Sequence, residues 1–295
     1  MIMKAHTYLP IRILTHNIRY ATNSPFKGEK PWAERKDLIV NELKYNTLHN
    51  SEAFICLQEV LHGQLLDILS GLNNAESTTA SSSGHDEWAY IGVGRDDGNQ
   101  AGEYSPIIYR PSIWSIEEWK TVWLSPTPDK PGKGWDAGSV RIVTVGTFLH
   151  RSSKKRVVGL CTHFDNAGEV SRRKSAEMVE RIVANATSPS VSDREERTPV
   201  WLAGDLNSEP DGEAYQILNG KDSFLQDSRA LAQWRYGNKQ TCTGFQEDEL
   251  SIIDYVFVGK QGWEVKGFGV LSNRFDDEVY SSDHRAVVVD AVLDV

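Results

Sequence analysis

The segment PVWLAGDLN, residues 199–207, decides the fold reading. A short apolar run, Val200 to Ala203, is closed by Gly204, and an acid and an amide, Asp205 and Asn207, follow directly. So short a run, bounded by turn-forming residues, reads as a strand. The same arrangement recurs outward along the chain. VVGLCT (157–162) leads to His163, AFICLQ (53–58) to Glu59, and IRILTH (11–16) to Asn17. In SIIDYVFV (251–258) Asp254 stands inside the run, and Ser282, Asp283 and His284 immediately precede the last one. Strands that end in polar residues deliver them to one edge of a sheet, where sites are built.

Short β-branched or aromatic runs predict strands at Ile11 to Leu14, Ala53 to Leu57, Ile107 to Tyr109, Arg141 to Phe148, Arg156 to Cys161, Val200 to Ala203, Ile252 to Val258 and Ala286 to Leu293. Helical spacing is clearest in PWAERKDLIVNEL, where Trp32, Arg35, Ile39 and Leu43 share a face behind Pro31. A second helix is predicted over Glu169 to Ala184, with Ala176, Val179 and Val183 as its apolar stripe. Sheet-rich sequence with a few interspersed helices implies an α/β or α+β sandwich. Polar stretches at Asn73 to Glu87 and Ala186 to Thr198 read as loops within one domain spanning 1–295.

The chain has 295 residues, 25% of them charged, which suits a folded globular protein. Its formal charge of −9 weighs against a sequence-independent grip on long nucleic acid, which relies on Lys and Arg. Cys56, Cys161 and Cys242 are odd in number and lack CxxC spacing, so neither a disulfide framework nor a zinc site is expected. A reducing, cytoplasmic location is expected, with no membrane span.

Carboxylates such as Glu59 and Asp205 are the ligands that hard cations favour, and a metal so held activates water and neutralises phosphoryl charge. His284 titrates near neutrality, and a carboxylate partner would raise its basicity. Asp254, in so apolar a strand, is costly without a charged or hydrogen-bonding neighbour and is the candidate partner. Each motif alone has an ordinary reading as a turn or loop residue.

Taken in order, HN at 16–17, LQE at 57–59, TH at 162–163, GDLN at 204–207, IDYVF at 253–257 and SDH at 282–284 resemble the endonuclease/exonuclease/phosphatase superfamily of metal-dependent phosphoesterases. The resemblance implies a four-layered αββα sandwich of two packed mixed sheets, DNase I-like, with its site at one end. It also implies roles. Glu59, helped by Asn17 and Asp283, would hold Mg2+ or Mn2+, one ion or two. Asp205 and Asn207 would position water and phosphate, His284 oriented by Asp254 would act as base or phosphate contact, and His163 would stabilise the pentacovalent phosphorus.

GEYSPIIYR (102–110), GWDAGSVRIVT (134–144) and THFDNAGEVSRRKSA (162–176) are similar to an uncharacterised microbial branch of that superfamily. They make Glu103, Ser105, Trp135, Asp136, Arg141 and Arg172 candidate substrate contacts. Relatives in that branch commonly carry Pro where this chain has Val140 and often His where it has Asn166. The expected substrate is a phosphate ester, with short or single-stranded nucleic acid among the candidates, and no obligate protein partner is evident. Nuclease-type phosphodiesterase activity is slightly favoured over a sugar, nucleotide or inositol phosphatase, with a silent binding module as the third reading. His6, His49, His62, His85 and His150 have no motif company and read as surface or structural.

Overall fold

A computed structural model of the chain describes residues 8–74, 87–188, 197–247 and 250–294. The first half contains β1 (Tyr8–Asn17), α1 (Trp32–Thr47), β2 (Phe54–Gln58), α2 (His62–Asn73), β3 (Ala89–Ile91), β4 (Ile107–Tyr109), β5 (Trp114–Trp123) and β6 (Ile142–His150). The second contains β7 (Arg156–His163), α3 (Glu169–Ala186), β8 (Val200–Asp205), α4 (Glu213–Leu218), β9 (Leu225–Asp227), α5 (Ser228–Leu231), β10 (Trp234–Gly237), β11 (Asp254–Gly259), β12 (Trp263–Val270) and β13 (Val287–Asp294).

The strands form two mixed sheets. One has seven strands in the order β10-β12-β13-β1-β2-β4-β3, the other six in the order β5-β6-β7-β8-β11-β9. Side chains alternate across each strand, so one run feeds two layers. In β2, Phe54 and Cys56 enter the core between the sheets, while Ile55 and Leu57 pack outward with Ile39, Leu43, Leu65 and Ile68 of α1 and α2. In β8, Trp201 and Ala203 face inward, and Val200 and Leu202 pack outward with Val179 and Val183 of α3. Covered faces on both sides explain why the runs read as continuously apolar. The result is a DNase I-like fold, with helices outside two packed sheets.

The inter-sheet core centres on aromatics. The Phe54 ring centroid lies 4.9 Å from Trp114, 4.8 Å from Phe148 and 5.1 Å from Trp201. Burying each such ring contributes on the order of 2–3 kcal/mol. Gly159 makes room for one of them, since a Cβ there would meet the Trp201 ring at 2.3 Å.

The topology explains the functional edge. β1 and β2 are parallel, as are β7 and β8, with α1 and α3 lying between the paired strands in sequence. All four strands therefore end on one side, after Asn17, Gln58, His163 and Asp205. β11 and β13 run antiparallel to β8 and β1 and begin on that same side, Asp254 standing opposite Asp205.

All eight predicted strands and both predicted helices are present, with ends that shift: β1 extends to Tyr8–Asn17, β7 and β8 gain two residues each, and β11 starts at Asp254 rather than Ile252. The polar loops 73–87 and 186–198 fall mostly outside the described residues. The strand β5 escaped the sequence reading because it edges its sheet and leaves residues 117–120 exposed, so no apolar run marks it. β10 is exposed along its whole length and was missed for the same reason. α2, HGQLLDILSGLN, was also missed.

Candidate active site

The residues that follow the central strands meet at Asp205. Its carboxylate is buried, and Oδ1 accepts the Asn207 backbone N–H at 2.8 Å. Around Oδ2 stand three side chains from three other segments: Asn17 Nδ2 donates at 3.1 Å, His163 Nε2 lies at 3.5 Å and His284 Nε2 at 3.8 Å. Asn17 Nδ2 also donates to Glu59 Oε1 at 3.1 Å, so one amide joins the carboxylates of both sheets. Glu59 Oε2 accepts Tyr20 N at 3.2 Å and faces the Arg19 guanidinium at 3.6 Å.

Part of this arrangement is held under backbone strain. Arg19, Glu59 and Asn207 have φ of 56°, 59° and 46°, the left-handed region that side chains other than glycine rarely adopt. Such residues cost on the order of 1–3 kcal/mol each and cluster where the surrounding structure fixes a functional geometry.

Two histidines occupy opposite protonation states. Asn207 Nδ2, which also donates to Phe164 O at 3.0 Å, lies 3.0 Å from His163 Nε2. The His163 nitrogen is then the acceptor, and its proton sits on Nδ1, 3.9 Å from Glu103 Oε2. Burial, then the charges of Arg141, Arg95 and His284, hold His163 well below the usual imidazole range, so it is neutral. His284 is the reverse. Burial opposes its charge, but Asp254, with Oδ2 2.8 Å from Nδ1, outweighs it and raises the pKa well above the usual value.

The carboxylates crowd one another. Burial and the neighbouring Asp254 push Asp205 up to about 7, against the opposing effects of His284, Asn207 and Asn17. Burial, with Glu59 adding to it, raises Asp283, whose Oδ1 accepts Ser282 Oγ at 3.2 Å. Glu103, bonded to Arg95 at 2.7 Å, is pushed up to about 7 by burial and by Glu59. An edge so rich in carboxylates that their protons are held to near neutrality suits a divalent cation, whose charge would release them. Ligand atoms of Asp205, Asp254 and His284 lie within 4.8 Å of one another, and the buried Oδ1 of Asp254 has no hydrogen-bond partner. That grouping is made of residues the sequence assigned to catalysis. The residues it assigned to the metal stand alongside, Asn17 bonded to both Glu59 and Asp205.

The substrate-contact candidates divide. Glu103, Ser105, Arg141 and His163 line one small cavity. Arg141 is buried rather than exposed, its Nε 3.2 Å from Asp165 and its Nη2 2.9 Å from Asn166 Oδ1, while Nη1 has no partner. Asn166 thus supplies an acceptor for Arg141. Arg172 donates to Asp165 O at 2.9 Å and lines a cavity of about 280 Å3 beside Asn207. Asp136 goes elsewhere: it accepts Val170 N and Ser171 N at 3.2 and 2.7 Å and caps α3. Trp135 is 38% exposed and makes no aromatic ring contact among the described residues.

Sequence reasoning missed Arg19, Arg95 and Asp165. Asp165 organises its corner by accepting backbone N–H groups of Gly138, Ser139, Ala167 and Gly168 at 2.8–3.0 Å. Burial opposes its ionisation, but those bonds and Arg141 hold it at about 2. Its only sequence signal was its place in the quoted THFD; Arg95 had none.

The sequence profile of the Endonuclease/Exonuclease/phosphatase family matches residues 14–284. Among solved structures, an endonuclease/exonuclease/phosphatase from Bacteroides vulgatus is 29% identical with TM-score 0.81, covering 97% of this chain and 100% of its own. A mannosyl-6-phosphatase from Bacteroides thetaiotaomicron is 30% identical with TM-score 0.81, covering 96% and 100%. A Danio rerio TDP2 complexed with a single-strand DNA product is 14% identical with TM-score 0.63, covering 96% and 98%, a likeness of fold alone. Comparison with curated proteins gave no match.

Proposed function

The chain belongs to the Endonuclease/Exonuclease/phosphatase family, whose members are phosphoesterase hydrolases, and on that premise we propose that it is a divalent-metal-dependent phosphatase acting on a sugar phosphate. The observation that carries the choice of substrate is the cavity of about 280 Å3 beside Asn207, lined by Glu169, Glu209 and Glu213 against the single cation Arg172. Its size suits one monosaccharide. With Arg172 as its one cation, the lining offers no row of positive charges for a polyanionic strand to follow, whereas a single phosphoryl group needs only the metal-side groups and one such contact. The 30% identity to a mannosyl-6-phosphatase over nearly the whole of both chains supports the same reading. The nuclease reading, slightly ahead on sequence alone, rests on relatives that share only the fold.

In this proposal Glu59, with Asn17 and Asp283, would hold Mg2+ or Mn2+. The Asp205, Asp254 and His284 grouping has ligand spacing too, but Asp254 Oδ2 is already bonded to His284 Nδ1, so we assign these three to the reaction. The cation would draw charge from the phosphoryl oxygens and ease deprotonation of water. Asp205 Oδ2 accepts the proton side of the attacking water, fixed by the Asn207 N–H on its other oxygen. His284, kept as an imidazolium by Asp254, would place positive charge against the phosphoryl group, and His163, whose Nε2 accepts from the Asn207 amide, would hold that amide in place beside it. Arg172 holds a phosphate or hydroxyl oxygen at the cavity mouth. The free cysteines Cys56, Cys161 and Cys242 are all buried, which fits a reducing cytoplasm, and no helix among the described residues is long and apolar enough to cross a membrane.

The test is turnover of mannose 6-phosphate, glucose 6-phosphate, bis(p-nitrophenyl) phosphate and short oligonucleotides, with Mg2+ or Mn2+ and with EDTA. Faster release of phosphate from the sugar monoesters, lost in EDTA, is expected. Preference for oligonucleotides would restore the phosphodiesterase reading.

A further inference from the structure

A groove of about 720 Å3 lies on the outer side of the seven-stranded sheet, between α1 and the edge strand β10. None of Glu59, Asp205, Asp254 or His284 lines it. Its floor is β12. Phe268 and Val270 point into the inter-sheet core, so the alternating Gly267 and Gly269 face outward. The strand bulges between Val265 and Gly267, where glycine is at home, but packing does not demand glycine at 269, because a Cβ there would meet nothing closer than 3.8 Å. Neither residue has positive φ. Bare backbone at the bottom of a groove is where a ligand approaches closely.

The walls are aromatic and open. Tyr45 of α1 is 82% exposed, Trp234 and Tyr236 of β10 are 77% and 79% exposed, and Phe275 is 66% exposed. Four large rings around one groove are more than the scattered exposed apolar residues of an ordinary surface. The charged lining groups balance, Arg12 and Arg235 against Glu42 and Asp290. The cations are also committed: Arg12 to Asp290 at 2.7 and 2.6 Å, Arg235 to the carbonyls of Arg229 and Ala230 at 2.7 and 2.9 Å. The lining therefore carries no net charge to attract an ion, and the one cation not paired to a carboxylate, Arg235, is held by two backbone carbonyls. What it offers is flat ring faces, whose negative quadrupole attracts polarised C–H groups, and polar atoms on the rim such as the exposed Asn41 amide. A second copy of the chain fits poorly, because a two-fold interface must be self-complementary and two grooves face to face leave a void.

We propose that this groove is a second ligand site, and that it binds a neutral oligosaccharide. Sugar rings present flat C–H faces to aromatic walls and hydroxyls to the rim, and carry no charge. The site stands on its own lining and does not depend on the phosphatase reading.

The experiment is titration of the full chain with neutral manno-, gluco- and xylo-tetrasaccharides, followed by calorimetry and tryptophan fluorescence, alongside turnover of p-nitrophenyl phosphate. At least one tetrasaccharide is expected to bind and to quench fluorescence. Trp234→Ala and Tyr236→Ala should each weaken it by about tenfold, and Gly269→Val should block the floor, with turnover unchanged in all three. These surface positions leave the core intact. No binding by any tetrasaccharide would overturn the proposal, as would undiminished binding in the Trp234→Ala, Tyr236→Ala double variant or a solution dimer that Trp234→Ala dissociates. Sugar binding without phosphatase turnover would uphold the groove and sink the catalytic reading instead.

Discussion

His284 Nδ1 lies 2.8 Å from Asp254 Oδ2, and through this contact a fully buried imidazole keeps its positive charge. Burial alone would strip the proton from His284. Asp254 both orients the ring and reverses that tendency, which makes the pair a single functional unit. Asp254→Asn keeps the shape and removes the charge. We expect kcat to fall by roughly 10²–10⁴-fold, the usual contribution of a positioned acid or base, with KM little changed. Because His284 must be protonated in the proposed role, and its pKa drops without Asp254, the alkaline limb of the pH–kcat profile should move to lower pH. A limb that stays in place would show that His284 is not the group being read.

Removal of the carboxylates and histidine tests the centre itself. Glu59→Ala, Asp205→Ala and His284→Ala should each lose most activity while leaving far-ultraviolet circular dichroism unchanged, since the sheets are held by the aromatic core rather than by this edge. Near-normal turnover in all three purified variants would refute the site.

Metal binding should be visible in stability, with a defined pH dependence. Asp205 and Glu103 are pushed up to about 7 by burial and neighbouring acids. A carboxyl whose folded pKa is raised stabilises the fold while protonated, and that contribution is lost as pH climbs from the ordinary carboxylate range to the folded value. The metal-free protein should therefore weaken between about pH 4 and pH 7 on this account. A cation must compete with those protons at pH 5 but not at pH 8. At a hundredfold excess over Kd it adds about 2.7 kcal/mol, roughly 4 °C in Tm for a chain of this size. Thermal scans with EDTA and with Mg2+ or Mn2+ should show that gain at pH 8 and a smaller one at pH 5.

The sandwich and the centre were legible because their signal is local. A strand buried on both faces writes an uninterrupted apolar run, and Asn17, Glu59, His163 and Asp205 sit at or just after the ends of such runs. The single-amide bridge of Asn17 to Glu59 and Asp205 was not legible, because it joins residues 42 and 188 positions apart. Asp136 misled for a related reason: it lies in a quoted motif, yet it is spent on the N-terminus of α3, 34–35 residues away. β5 and β10 stayed hidden because exposed edge strands need no apolar alternation. The outer groove was invisible too, since Gly267 and Gly269 become a floor only once α1 and β10 stand on either side.

The core admits a sharp test at Gly159. A methyl group there would overlap the Trp201 ring at 2.3 Å, and Trp201 is pinned by its contact with Phe54. Gly159→Ala should cost about 1–3 kcal/mol, the usual range for overpacking, read as a lower urea midpoint. Adding Trp201→Phe should recover part of the loss, because the smaller ring vacates the space the methyl needs. A double variant no more stable than the sum of the single changes would mean that the strain lies elsewhere.

Arg172 is the residue at which the proposed substrate choice can be tested. Its guanidinium is fixed at one end by the carbonyl of Asp165 and faces the cavity it shares with Asn207. If it holds a substrate oxygen there, Arg172→Ala removes a charge-assisted bond worth about 1.5–3 kcal/mol, so KM for a sugar monoester should rise on the order of 10- to 100-fold. Loss in kcat should be smaller, because the water, Asp205 and His284 are untouched. Lysine restores the charge but not the planar fork, so Arg172→Lys should fall between. The contrast between substrates is the decisive readout. A monosaccharide phosphate must enter the cavity, whereas bis(p-nitrophenyl) phosphate needs only the metal-side groups, so the diester should be hydrolysed almost as well by the variant. Equal losses on both substrates would mean that Arg172 supports the corner through Asp165 instead of reading the sugar.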